Sequence, residues 1–414
     1  LKNGSSRYEF LRFSVMSFLE NKHRHKNLFS NAYIDPYGNF QNYREVLERY
    51  RKIGIGSRSG IASNDALTNL EGLKFGVDPV SSWVTRVKAG SIRGGENAQV
   101  TLNIPENIVW YGVPSKKNHE NILAEITLPC NTPEAFQQYS QGAEKLAAAS
   151  PWIQAWSNLG EAEGCIPDFA HSDYASNQNF QNYVDFEVAV AQGLKRGNPK
   201  AMIGTSATSC LRKDRIENLD KFLTLVGKRF HYDCFFIHTY REAPEYPDLD
   251  SDFQQLFEML ARHGYIKEPV ICSEGMHWKP YKMKNLIFPD WIATPWGPFS
   301  YDMGDQERLA SAWRARHWLI GLKHQDRIKV MNSSTNFWGF EMDPDLTPFA
   351  TQKISNTLGR ILGNATFKEE VKLSKKVRCY LFEDEKSRPV AVVWSCDPEI
   401  DKGLKEAPEL LLHK

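Results

Sequence analysis

The sequence contains no Cys-x-x-Cys pair. Its seven cysteines (130, 165, 210, 234, 272, 379 and 396) are scattered and odd in number, which argues against a zinc ribbon and against a disulfide scaffold. Cys234 and Cys272 fall inside apolar, strand-like runs and read as buried thiols. No run of about 18 apolar residues occurs, so no membrane span is expected. Neither charge is in excess. The formal net charge is +1, which gives no reason to expect nucleic acid or a membrane surface as partner. No Gly-x-Gly-x-x-Gly follows the first strand-like run, leaving a dinucleotide-binding open sheet unsupported. No short internal repeat occurs. The chain opens "LKNGSSRYEF", without an initiating Met or a signal peptide. That is expected of a processed or trimmed chain whose compartment is not readable.

What is present is size and aromatic content. At 414 residues the chain exceeds the usual single-domain length unless it is a barrel. Aromatic residues make up 12%, with 11 Trp and 16 Tyr, which suits stacking on sugar faces and equally suits a large core. Strand-like and helix-like stretches alternate. Strands are predicted at 8–19, 53–63, 107–114, 152–158, 200–207, 233–240, 268–275 and 328–338. Helices are predicted at 43–54, 80–90, 132–149, 182–197, 215–229, 250–264, 305–323 and 348–363. Several strands are near-continuous apolar runs, as expected when both sheet faces are covered. Eight strands with intervening helices predict a (β/α)8 barrel over residues 8–363. From about residue 364 the pattern turns to short strands without a helical period. Residues 364–414 therefore read as a β-rich accessory domain, completed by N-terminal residues or cut short.

The chemistry concentrates at two strand ends. "WIQAWSNLGEAEG" (152–164) runs an apolar strand into Glu161 and Glu163, and "EPVICSEG" (268–275) ends in Glu274. Glu161 and Glu274 are 113 residues apart, about 38 per βα unit over three units, an ordinary length for such a unit. Strands four and seven of a barrel end in one mouth from opposite sides. Two carboxylates across a cleft are the minimum for cleaving a glycosidic bond: one protonates the leaving oxygen, the other attacks the anomeric carbon or activates water. Unequal surroundings hold one pKa high and the other low. The rival reading for either residue is a solvated strand end, and Glu163 reads as solvated or supporting.

These stretches resemble the retaining glycoside hydrolases of clan A, closest in layout to family 39. "WSNLGEAE" is similar to that family's fourth-strand Trp-x3-Asn-Glu-Pro-Glu, with Gly160 and Ala162 in place of Asn and Pro. "EPVICSEGMHW" resembles the seventh-strand pattern, and "FFIHTY" the sixth-strand (Ile/Val)-x-His-x-Tyr. "YLFEDEKSRPVAVVWS" resembles the β-sandwich accessory domain that follows such barrels. The resemblance covers residues 100–395 and implies Glu161 as acid/base and Glu274 as nucleophile. It implies that His238 and Tyr240 orient the nucleophile, with no cofactor and no metal. Gly160 removes the Asn that usually bonds the substrate's 2-hydroxyl, and Asn158 is the candidate substitute.

Trp278 and Trp338 follow strands seven and eight as candidate stacking platforms, a buried structural Trp being the rival reading. The loop 279–304 is a candidate cover for the substrate. Basic residues recur after the strands, at 21–26, 115–119, 211–215, Arg241 and Lys279. Such a lining would suit an acidic (sulfated or uronic) glycan. The expected activity is retaining hydrolysis of β-glycosidic bonds in a poly- or oligosaccharide, in a secreted or periplasmic setting. The alternatives are an inactive carbohydrate-binding pseudo-glycosidase and a barrel enzyme of other chemistry. Retention predicts carboxyl groups about 5–5.5 Å apart.

Overall fold

A computed structural model describes residues 31–33, 57–63, 97–103, 133–149, 151, 153–158, 178–208, 210–241, 243–246, 248–275, 293–294, 297–298, 305–331 and 350–397. Strands β1 (Asn31–Tyr33), β2 (Ser57–Ser63), β3 (Asn97–Asn103), β4 (Ile153–Ser157) and β5 (Met202–Ile203) form one sheet in that order. Every pairing in it is parallel. Strands β6 (Phe235–Thr239), β7 (Val270–Gly275) and β10 (Ile328–Met331) form a second parallel sheet, with β7 central. Isolated parallel bridges, Gly204 to Cys234 and Thr208 to Ile237, join the end of β5 to β6. The described residues thus carry eight parallel strands that neighbour one another in chain order. Helices α1 (Pro133–Ala149), α2 (Gln178–Gly197), α3 (Lys213–Val226), α4 (Leu249–Arg262), α5 (Asp305–Lys323) and α6 (Ala350–Leu362) alternate with the later strands. Between β7 and α5, β8 (Ala293–Thr294) and β9 (Gly297–Pro298) make a small antiparallel hairpin.

The predicted helices from 132 onward and the strands from 152 onward recur with shifted ends. Two positions differ. The strand between β2 and β4 is 97–103, whereas the predicted run 107–114 lies outside the described residues. The strand beside β2 is 31–33, and the predicted strand 8–19 lies outside them, as do the predicted helices 43–54 and 80–90. "NAQVTLN" alternates small or apolar Ala98, Val100 and Leu102 with polar neighbours, so it has the period of a strand. It pairs in unbroken register with β2, Ser57 opposite Asn97 through Ser63 opposite Asn103.

Alternation along the strands fills two layers. Phe235 and Ile237 on β6, with Val270 and Cys272 on β7, pack into the main core with the helices. Cys234, Phe236 and Ile271 instead join Ala155, Ala207 and Val330 in a small cluster on the opposite face. Both faces are therefore buried, which explains the near-continuous apolar runs. Gly204 belongs to this second layer: a Cβ there would sit 2.5 Å from the Phe236 ring. On the helix side, α2 lies backbone-to-backbone on α1. A Cβ on Gly193 would meet the Ser140 carbonyl oxygen at 2.0 Å, and Ser140 Oγ donates to the Ala189 carbonyl at 2.6 Å.

Helix α4 shows the local rules at both ends. Asp248 caps it, its carboxylate accepting from the Asp250 amide at 3.3 Å. Its apolar stripe Leu249, Phe253, Leu256 and Leu260 is fully buried. It stops at Gly264, whose φ of 87° lets Tyr265 N–H reach the Leu260 carbonyl at 3.0 Å.

The C-terminal stretch forms an antiparallel sheet of β11 (Thr366–Ser374), β12 (Val377–Glu383) and β13 (Pro389–Ser395), with β12 central. Phe367, Tyr380, Phe382, Val390, Val392 and Trp394 pack onto the main core. Among the described residues no N-terminal strand joins it.

Candidate active site

Glu274 sits at the end of β7, and the register explains how it faces its neighbours. Phe236 pairs with Ile271 and Ile237 with Cys272, but His238 pairs with Glu274. The ladder skips Ser273. Strict alternation would turn Glu274 to the helix side with Cys272. The extra residue returns it to the side of Phe236, His238 and Tyr240, and such bulges re-aim side chains beside active sites.

Tyr240 Oη donates to Glu274 Oε2 at 2.8 Å, and His238 Nδ1 lies 3.7 Å from the same oxygen. The two rings meet edge-on, 5.9 Å apart at 89°. His238 is 2% exposed, whereas a third of the Glu274 side chain is open to solvent. A phenol thus holds one oxygen of an accessible carboxylate, with a buried imidazole beside it. Three of the residues singled out in the sequence are brought together here.

Asn158 directly follows β4 and is 2% exposed. It lies beside Glu187 of α2, a fully buried carboxyl that no sequence pattern above singled out. Burial pushes Glu187 up to about 7, against the Ser206 hydrogen bond and the nearby Tyr183 and Asn158 side chains, which favour the charged form. The signal was present: Glu187 falls four residues after Tyr183 and four before Ala191, inside an apolar stripe. From the ordinary 4.5 to about 7 the folded chain keeps a proton that the unfolded chain loses. Stability therefore falls as pH rises through that window, by on the order of 3 kcal/mol in all. Urea midpoints measured from pH 4.5 to 8 are expected to show this slope, and Glu187→Gln to flatten it. An unchanged slope in the variant would assign it to other groups.

Arg241 is buried, pairs with Asp252 at 2.9 Å and donates to the Leu211 carbonyl at 2.9 Å. It is thus withdrawn from the basic residues counted toward an acidic glycan. Arg212 and Lys213 are exposed, near Asp214 and Glu217 respectively. Glu161, Trp278 and Trp338 lie outside the described residues. Cys234 and Cys272 are fully buried and in no disulfide, as read from their strands. Among the described residues no group of three or more His, Cys, Asp or Glu is placed to hold a metal ion. No helix among them is long and apolar enough to cross a membrane.

No protein-family model and no curated protein matches the chain. Solved structures of similar shape include native xylanase 10B from Thermotoga maritima, at 11% identity and a TM-score of 0.49, covering 81% of this chain and 95% of that one. A GH10 structure from Paenibacillus barcinonensis has 10% identity and a TM-score of 0.49, covering 84% of this chain and 98% of that one. A glycoside hydrolase family 30 subfamily 8 xylanase from Clostridium acetobutylicum has 11% identity and a TM-score of 0.48, covering 90% and 82%. At such identities and scores no residue role and no activity passes from these proteins to this chain.

Proposed function

We propose that the chain is a retaining glycoside hydrolase cleaving β-glycosidic bonds, with Glu274 as nucleophile and Glu161 as acid/base. The observation that carries this reading is the Tyr240 hydrogen bond to one oxygen of the accessible Glu274 carboxylate, with the buried His238 ring 3.7 Å from the same oxygen. A hydrogen bond from a positioned phenol fixes the direction of the carboxylate, which a nucleophile needs. Oε1 attacks the anomeric carbon while the Glu161 carboxylic acid gives its proton to the departing oxygen, leaving a glycosyl ester on Glu274. Water then attacks that carbon, Glu161 takes the water's proton, and Glu274 leaves as carboxylate. Trp278 and Trp338 stack on sugar rings, and Asn158 serves the subsite that Gly160 leaves without its usual donor.

The scaffold for this chemistry is a closed (β/α)8 barrel over residues 8–363, with 364–414 as an accessory β domain. Its support is the chain-order succession of eight parallel strands with an apolar layer on the inner face. The test is product formation from a panel of neutral and acidic polysaccharides. Cleavage of one of them is the expected result. Binding without cleavage would favour the inactive carbohydrate-binding reading that Gly160 suggests. With Arg241 buried, neutral glycans are expected to be cleaved at least as well as acidic ones.

A further inference from the structure

We infer that a buried hydrogen-bond chain, His317–Thr239–Cys272, is the device that positions Glu274. It deepens the proposed function, resting on Glu274 as the acting carboxylate. His317 on α5 has Nε2 2.7 Å from Thr239 Oγ1 on β6, which is 3.0 Å from Cys272 Sγ on β7. Cys272 Sγ in turn donates to the main-chain carbonyl of Glu274 at 3.3 Å. All three side chains belong to fully buried residues.

The proton order follows from counting donors. Cys272 has a single S–H, and it is spent on the Glu274 carbonyl. Thr239 must then give its O–H to the sulfur, and His317 must give Nε2–H to Thr239. That order needs a proton on Nε2, and burial, with Arg241 and Arg314 nearby, keeps His317 uncharged, so the ring is the Nε2–H tautomer.

The place where the chain ends is what gives it a role. Cys272 is the last β7 residue paired with β6 before the skip at Ser273, and Glu274 the first after it. The thiol therefore clasps the bulge across its extra residue. Holding that bulge holds Glu274 on the side of Tyr240 and His238. The three residues are positioning residues: none reaches the carboxylate itself.

The test is Thr239→Val, which keeps the shape and removes the hydroxyl, with Cys272→Ala removing the last link independently. A crystal structure of either variant is expected to show the 2.8 Å Tyr240–Glu274 contact opened beyond hydrogen-bonding distance. On a cleaved glycan, kcat is expected to fall by about tenfold to a hundredfold with KM little changed. Thr239→Ser, which restores the hydroxyl, is expected to recover most of that loss. Variants that keep the contact and kcat, losing only stability, would overturn the inference. The crystallographic result needs no substrate, so it judges the chain separately from the hydrolase reading. Full activity in Glu274→Gln would sink that reading and leave the geometry to stand or fall by itself.

Discussion

Glu274→Gln is expected to lower kcat on any cleaved glycan by roughly a thousandfold or more, with little change in KM. The substitution keeps the side chain's size and an oxygen for Tyr240 to bond. It removes the negative charge and the second oxygen that attacks. Because the grip on Oε2 survives, the strand end should hold its place, and the loss should fall on the chemical step rather than on binding. Initial rates over a range of substrate concentration, wild type against variant, check this. Equal rates would remove Glu274 from the mechanism. A rise in KM at unchanged kcat would make it a binding residue instead.

Asp250→Asn is expected to destabilise the fold by about 3 kcal/mol at neutral pH, the lower end for breaking a buried ion pair. Asp250 accepts from Lys323 at 2.6 Å and meets His324 at 2.6 Å, while Lys323 reaches on to Glu370 of the C-terminal sheet at 2.7 Å. Arg378 bonds Asp248 at 2.9 Å beside them, and Trp394 donates to Glu245 at 2.8 Å. The start of α4, the end of α5 and the accessory sheet thus share one polar seam. Burial alone would raise the Asp250 pKa, but the His324 and Lys323 contacts outweigh it and bring it to about 2. A depressed carboxylate stabilises above its unfolded pKa of 3.8, and that contribution is lost as pH falls toward 2. The stability gap between wild type and variant should therefore be full at pH 7 and shrink below about 4. The sheet lays its apolar side chains on the main core and shares this seam, so sheet and α/β body should unfold in one transition. A separate early transition of the sheet in the wild type would contradict the shared seam.

The sequence made the later elements legible because their signals were local. Pro133 after Thr132 marked the start of α1, and Gly264 marked the end of α4. Unbroken apolar runs marked β6 and β7, and "FFIHTY" placed His238 and Tyr240 on one side. The bulge at Ser273 left no such mark: neither Gly nor Pro flanks it on the strand side, and only pairing with β6 creates it. For the same reason β3 was missed. "NIVWYGVP" has the stronger strand composition, but what places "NAQVTLN" between β2 and β4 is register with β2, a property of two segments rather than one. Glu187 was legible and passed over, because a carboxylate among charged helix residues looks solvated until its apolar neighbours are counted.

The measurement that bears most directly on the nucleophilic role of Glu274 is the anomeric configuration of the first sugar released, followed by proton NMR before mutarotation. Retention is the expected result, since two displacements at one carbon restore the starting configuration. Inversion would mean that water attacks directly, and Glu274 would then be a base rather than the atom that carries the sugar.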